Sequence, residues 1–138
     1  MDNLTITKDW EHSFGMELIV VARAEFISVQ QSCYVDETVL REASERIAGF
    51  SANPQESCYI EFGEKEGKSI LAFSMKLLPV DKHGYLNIEM DMEIDDNYER
   101  LHRACFFLTC TLTQITEFGK ALGRLAHYDV GTSIDLVV

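Results

Sequence analysis

Residues Tyr85 to Asp95 read YLNIEMDMEID, so that Leu86, Ile88, Met90, Met92 and Ile94 alternate with Asn87, Glu89, Asp91, Glu93 and Asp95. An unbroken period of two predicts a half-buried antiparallel strand, one face in the core and one in water. Its hairpin partner upstream is Ser69 to Leu78, joined through the turn-rich string Pro79 to Gly84. Downstream, Asp95 to Leu101 reads as a polar turn, and His102 to Thr113 as a further strand with Ala104, Phe106, Leu108, Cys110 and Leu112 on one face. Three strands joined by short turns form a meander. Ser57 to Gly63 precedes them as a short strand ending in the turn Glu64 to Lys68, and Phe14 to Val29 reads as one long strand or a pair broken by a bulge.

Two segments switch to helical period. Asp36 is placed as an N-cap, with Val39, Leu40, Ala43, Ile47 and Phe50 lining one helical face and Gly49 available as the stop. The second helix spans about Gln114 to His127, capped by Thr113, with Ile115, Phe118, Leu122 and Leu125 on its buried side. Ser133 to Val138 is the candidate for a closing strand. Gly119 and Gly123 each cost about 1 kcal/mol relative to Ala within this helix, which points to a close approach of the helix to the sheet. A faint echo matches Thr38 with Thr116, Ala43 with Ala121, Arg46 with Arg124 and Ala48 with Ala126. The expected fold is α+β: an antiparallel meander of about five to six strands with two amphipathic helices on one face.

At 138 residues and 46% hydrophobic content the chain has room for one core, hence one domain over 1–138. It carries 23 acidic and 12 basic residues, a formal charge of -11. That balance argues against nucleic acid and anionic membrane surfaces as partners, because both require an excess of Lys and Arg. The first ten residues lack a basic segment followed by an apolar run, and no uncharged apolar window of about 18 residues occurs, so a cytoplasmic location is expected. Cys33, Cys58, Cys105 and Cys110 form no CxxC pair, and His12, His83, His102 and His127 are scattered singly. No metal site or cofactor is expected from them; cysteines of this kind are mostly small buried hydrophobes. Motifs of the GxSxG, P-loop, GxGxxG and HExxH types do not occur, and no enzyme activity is expected.

Between Leu86 and Glu99 stand six acids, Glu89, Asp91, Glu93, Asp95, Asp96 and Glu99, with no base among them. On a strand, Glu89, Asp91, Glu93 and Asp95 project from one face at spacings of about 6.5–7 Å. Such a row is either a solvated face balanced by Lys76, Arg100 and Arg103 or a surface that attracts a basic partner. Calcium is a weaker option, since an extended strand spreads the oxygens that a calcium loop gathers. Trp10, the single tryptophan, lies near His12 and Phe14 and is either a recognition patch or an N-terminal strand sealing a sheet edge; buried aromatic area favours the second.

The opening strand Leu18 to Ile27, the passage Tyr34 to Phe50 from strand into helix, the strand Tyr59, Ile60, Glu61, Phe62, and the run Arg103 to Leu125 from strand into helix together cover most of the chain. In this order they resemble the small acidic immunity proteins of bacterial polymorphic toxin systems, in particular those that neutralise wall-associated toxin tails. The resemblance implies a non-enzymatic inhibitor, monomer or homodimer, that binds one basic toxin domain. Glu89, Asp91, Glu93, Asp95 and Asp96 are the residues expected to meet such a partner. The alternatives are a small-molecule domain with a pocket between sheet and helices, lined by Phe73, Met75, Phe106 and Phe118, and a structural homo-oligomer subunit.

Overall fold

The computed structural model describes residues 2–63, 72–97 and 100–137, the side chains of 95–97, 100 and 101 excepted. The expected turn at Glu64 to Lys68, the start of the strand at Ser69, and residues Glu99 and Val138 lie outside the described residues. In chain order the elements are β1 (Asn3–His12), β2 (Gly15–Arg23), β3 (Ser28–Val35), α1 (Glu37–Ala52), β4 (Cys58–Phe62) and β5 (Phe73–Leu77), then β6 (Tyr85–Asn97), β7 (Arg100–Thr111), α2 (Leu112–Arg124) and β8 (Ser133–Asp135). A single 3₁₀ turn at Leu125–His127 follows α2.

The class is α+β, but the expected single sheet of five to six strands is two antiparallel sheets of four. Sheet A has the order β3-β2-β1-β8 and sheet B the order β4-β5-β6-β7. The inner faces of both sheets and the apolar stripes of both helices close on one core. In β6 the expected apolar face lies in the core, with Leu86, Ile88, Met90 and Met92 buried. The segment Phe14 to Val29 is not one strand: β2 and β3 pair antiparallel, Leu18 with Cys33 and Val20 with Gln31.

Each sheet is built partly from the other half of the chain. A three-strand meander followed by a helix and one more strand occurs twice, as β1-β2-β3-α1-β4 and β5-β6-β7-α2-β8. The closing strands are exchanged: β4 pairs with β5, and β8 pairs with β1. The registers agree between the halves, since the inward row Ile6, Val20, Gln31 of sheet A corresponds to Met75, Met90, Phe106 of sheet B. The helices agree as well. The caps Asp36 and Thr111 stand as far apart in sequence as the buried pairs Leu40 and Ile115, Ala43 and Phe118, Ile47 and Leu122, and Phe50 and Leu125. The correspondence is therefore real, but its register is three residues away from the one matching Thr38 with Thr116.

Both caps follow from local chemistry. The Asp36 carboxylate accepts the Val39 N–H at 2.9 Å. Thr111, two residues earlier than expected, accepts from the Gln114 N–H at 3.1 Å while the Gln114 side chain accepts the Thr111 N–H at 2.8 Å, a reciprocal capping box. Gly49 does not stop α1, which continues to Ala52. The glycines of α2 serve the approach of helix to helix, not of helix to sheet. A Cβ on Gly119 would stand 2.5 Å from Ile47 Cγ2, and one on Gly123 would stand 2.6 Å from Ser44 Oγ. At this crossing Ser44 Oγ donates to the Gly119 carbonyl at 2.8 Å.

A bulge shapes β1. Pairing runs Lys8 with Leu18 and then Trp10 with Glu17, so Asp9 is the extra residue. Lys8 and Glu11 thereby come to the same inner side, where Lys8, 1% exposed, meets the Glu11 carboxylate at 2.6 Å. Its ammonium also donates to the carbonyls of Ala126 and Tyr128, at 2.9 and 2.8 Å, where the chain leaves the 3₁₀ turn. These charge-assisted bonds compensate the burial of an amine and tie the end of the second helix to β1. Between the sheets, the inward Gln31 of β3 donates to the carbonyls of Ala72 and Glu93, both at 3.1 Å.

Candidate functional site

The acidic row of β6 divides into three kinds of residue. Glu89 is exposed, in the cross-strand row Tyr59, Lys76, Glu89, Phe107. Asp91 is held by Arg103 of β7, whose Nε and Nη2 donate to its two oxygens at 2.6 and 2.8 Å. This pair raises the Arg103 guanidinium further above its ordinary value. Glu93 departs from the expectation of a solvated carboxylate: it is 6% exposed, and its Oε2 accepts the backbone N–H of Ala72 at 3.3 Å. Its face is outward by register, and Ser74, diagonal to it on β5, is buried as well. The side chains of Asp95 and Asp96 lie outside the described residues.

What remains open on sheet B is a shallow concavity of about 350 Å³ lined by Tyr59, Ser74, Lys76, Glu89 and Asp91. The Tyr59 hydroxyl donates to Glu61 Oε1 at 2.7 Å, which fixes a second exposed carboxylate at its margin. Tyr59 and Phe107 are exposed aromatics on this face. Lys76 and Arg103 offset part of the negative charge, as expected for Lys76 and Arg103; the side chain of Arg100 lies outside the described residues.

A second surface lies on the outer face of sheet A. Alternation from Leu4 and Ile6 would carry Trp10 inward, but the bulge at Asp9 turns it outward, and it is 50% exposed. The expectation of a sealing, buried tryptophan is thus corrected, for the reason that one extra residue reverses the facing of everything after it. His12 opposes Gly15, and a Cβ on Gly15 would lie 2.9 Å from Tyr34 Cε1, so the glycine leaves room for that ring to lean across β2. Tyr34 stacks on His12 with centroids 5.4 Å apart, while Trp10 meets His12 edge-on at 4.9 Å and Phe14 meets it at 6.0 Å. The Phe14 N–H donates to His12 Nδ1 at 2.9 Å, which assigns the imidazole proton to Nε2. Glu17 is paired with Trp10 on one side and Tyr34 on the other. Among the described residues Glu17 has no ion-pair partner, and the Tyr34 hydroxyl, shut off from solvent, has no hydrogen-bond partner.

Beside this cluster runs a groove of about 320 Å³ between the β1–β2 turn and the start of α1. Its lining includes the carboxylates of Glu11, Asp36 and Glu37 and no Lys or Arg. Sequence reasoning singled out Trp10, His12 and Phe14 but missed Glu17 and Tyr34. Gly15 facing His12 across a two-residue turn was the available signal.

Comparison with protein-family models, curated proteins and solved structures finds no match. The remaining candidates resolve on geometry alone. Phe73, Met75 and Phe118 are fully buried and half-buried Phe106 packs against the same core, so the residues expected to line a small-molecule pocket are core fillers. The rings of Phe62 and Phe73 meet at right angles, 5.0 Å between centroids. Cys33 and Cys110 are buried, and burial pushes both thiols up to about 12. Among the described residues no three His, Cys, Asp or Glu side chains gather as a metal site, and no helix is long and apolar enough to cross a membrane.

Proposed function

We propose that the protein is a non-enzymatic binding protein for a partner with a basic surface, of the kind that neutralises a toxin domain. The observation that carries this reading is the composition of its open surfaces. With a formal charge of -11, the outer faces of both sheets combine aromatic rings with carboxylates: exposed Tyr59, Glu61 and Glu89 on sheet B, and exposed Trp10 with half-buried Tyr34 and Glu17 on sheet A. Aromatic side chains supply contact area at low entropic cost, and a surrounding field of one sign steers a partner of the other. The resemblance to immunity proteins supports the same conclusion. Among the described side chains of sheet B, Glu89 of β6 and Glu61 of β4 are the exposed carboxylates that we assign to this role.

The test is capture of partners from the source cell on the wild-type protein and on a Glu61→Ser/Glu89→Ser variant, with identification by mass spectrometry. A strongly basic protein retained by the wild type and depleted on the variant supports the reading. Equal recovery on both removes sheet B from it, and recovery of acidic or neutral proteins alone overturns it.

A further inference from the structure

The aromatic cluster of sheet A has a specific chemistry. Three rings, Trp10, His12 and Tyr34, are held against one another on an exposed sheet face, in a geometry fixed by the Asp9 bulge and the space above Gly15. Trp10 and Tyr34 are 6.4 Å apart between centroids, and in the strand order Glu17 stands between them. A glutamate flanked in register by two aromatic residues, with no ion-pair partner among the described residues, is an incomplete arrangement, since each of the three groups attracts positive charge. The neighbouring groove is lined by the carboxylates of Glu11, Asp36 and Glu37, which already meet Lys8, the Val39 N–H and His127 respectively, so Glu17 is the carboxylate of this face left for a partner. The nearest lysine in sequence, Lys8, faces the other side of the sheet and is already engaged by Glu11 and two carbonyls.

We propose that this face is a docking site for an arginine side chain presented by an extended segment of a cationic protein, its guanidinium lying on the Trp10 and Tyr34 rings and bonding to Glu17. Arginine fits better than lysine because a planar guanidinium stacks on a ring and pairs with a carboxylate at the same time. Phe14, 84% exposed at the rim, covers the aliphatic stem of the incoming side chain or its neighbour. The inference rests on the basic-partner reading and assigns it a second, independent surface.

Because Trp10 is the only tryptophan, its fluorescence reports on this site directly. The probe is an oligo-arginine peptide titrated at low salt, with oligo-lysine and oligo-glutamate for comparison and calorimetry as a second readout. Saturable quenching by oligo-arginine is expected, tighter than by oligo-lysine and absent with oligo-glutamate. Glu17→Gln and Tyr34→Leu should each weaken binding by about tenfold, the range for losing a charge-assisted contact. Glu45→Gln, an equal change of charge on the exposed side of α1, should not weaken it. Unchanged circular dichroism establishes that each variant is folded. Equal weakening by Glu17→Gln and Glu45→Gln overturns the site in favour of diffuse attraction. Weakening by Glu61→Gln/Glu89→Gln with none by Glu17→Gln overturns it while leaving the basic-partner reading on sheet B. Absence of binding by both readouts overturns the two together.

Discussion

Two glycines of the same type should respond oppositely to one methyl group. Gly119 sits at the helix crossing, where an added Cβ would press on Ile47 at 2.5 Å, against a branched side chain that is itself wholly buried. Relief requires one helix to shift. Gly119→Ala is expected to destabilise the fold by about 1–3 kcal/mol even though alanine is the better helix former. Gly49, inside α1 with nothing within 4 Å of its would-be Cβ, has no such constraint. Gly49→Ala should stabilise by up to about 1 kcal/mol, and urea midpoints for the two variants give the comparison directly. The buried thiols give a second residue-scale effect. The unfolded chain ionises cysteine near pH 9, whereas the folded chain holds Cys33 and Cys110 neutral up to about 12. Over that window the unfolded state binds fewer protons, so stability is intact below pH 9 and declines as pH rises through it. Equilibrium unfolding at a series of alkaline pH values should show the decline, and a Cys33→Ala/Cys110→Ala variant should lack much of it.

At the scale of elements, what local chemistry dictates was readable and what distant partners dictate was not. β6 and α1 were legible because their periods are unbroken and because Asp36 announces the helix it caps. The cap contributes a defined increment: Asp36→Ala should cost about 0.5–2 kcal/mol by leaving the Val39 N–H without its acceptor, and a shift in urea midpoint at unchanged slope measures it. β1 was hidden, although Leu4 and Ile6 alternate with threonines, because the next inward position is Lys8 and the one after is displaced by the bulge. A lysine reads as surface until the Ala126 and Tyr128 carbonyls that receive it are known, and these come from the far end of the chain. The candidate sites divide in the same way. Glu89 was placed correctly from alternation alone. Glu93 has identical periodicity and is buried, since its acceptor role depends on Ala72, a residue that the pattern of β6 says nothing about.

For the molecule as a whole, exchange of the closing strands decides how the parts depend on one another. The half that ends in β4 completes its own helix but gives that strand to sheet B, and the half that ends in β8 returns a strand to sheet A. This arrangement was beyond reading from a linear pattern, because β4 looks locally like the opening of the second meander and β8 is three residues long. Its energetic consequence is cooperative. Neither sheet reaches its four strands, and neither helix covers its stripe against the other at Ser44 and Gly119, unless both halves are folded. Chains of this size commonly unfold in a single step, and here the shared core and the exchanged strands supply the reason. Urea unfolding followed by Trp10 fluorescence, which reports on sheet A, should therefore coincide with unfolding followed by far-ultraviolet circular dichroism, which is dominated by the two helices. A fluorescence midpoint well below the dichroism midpoint would mean that sheet A opens while the helices stay packed, and that the bonds from β8 to β1 and from Lys8 to the end of the second helix contribute little to holding the halves together.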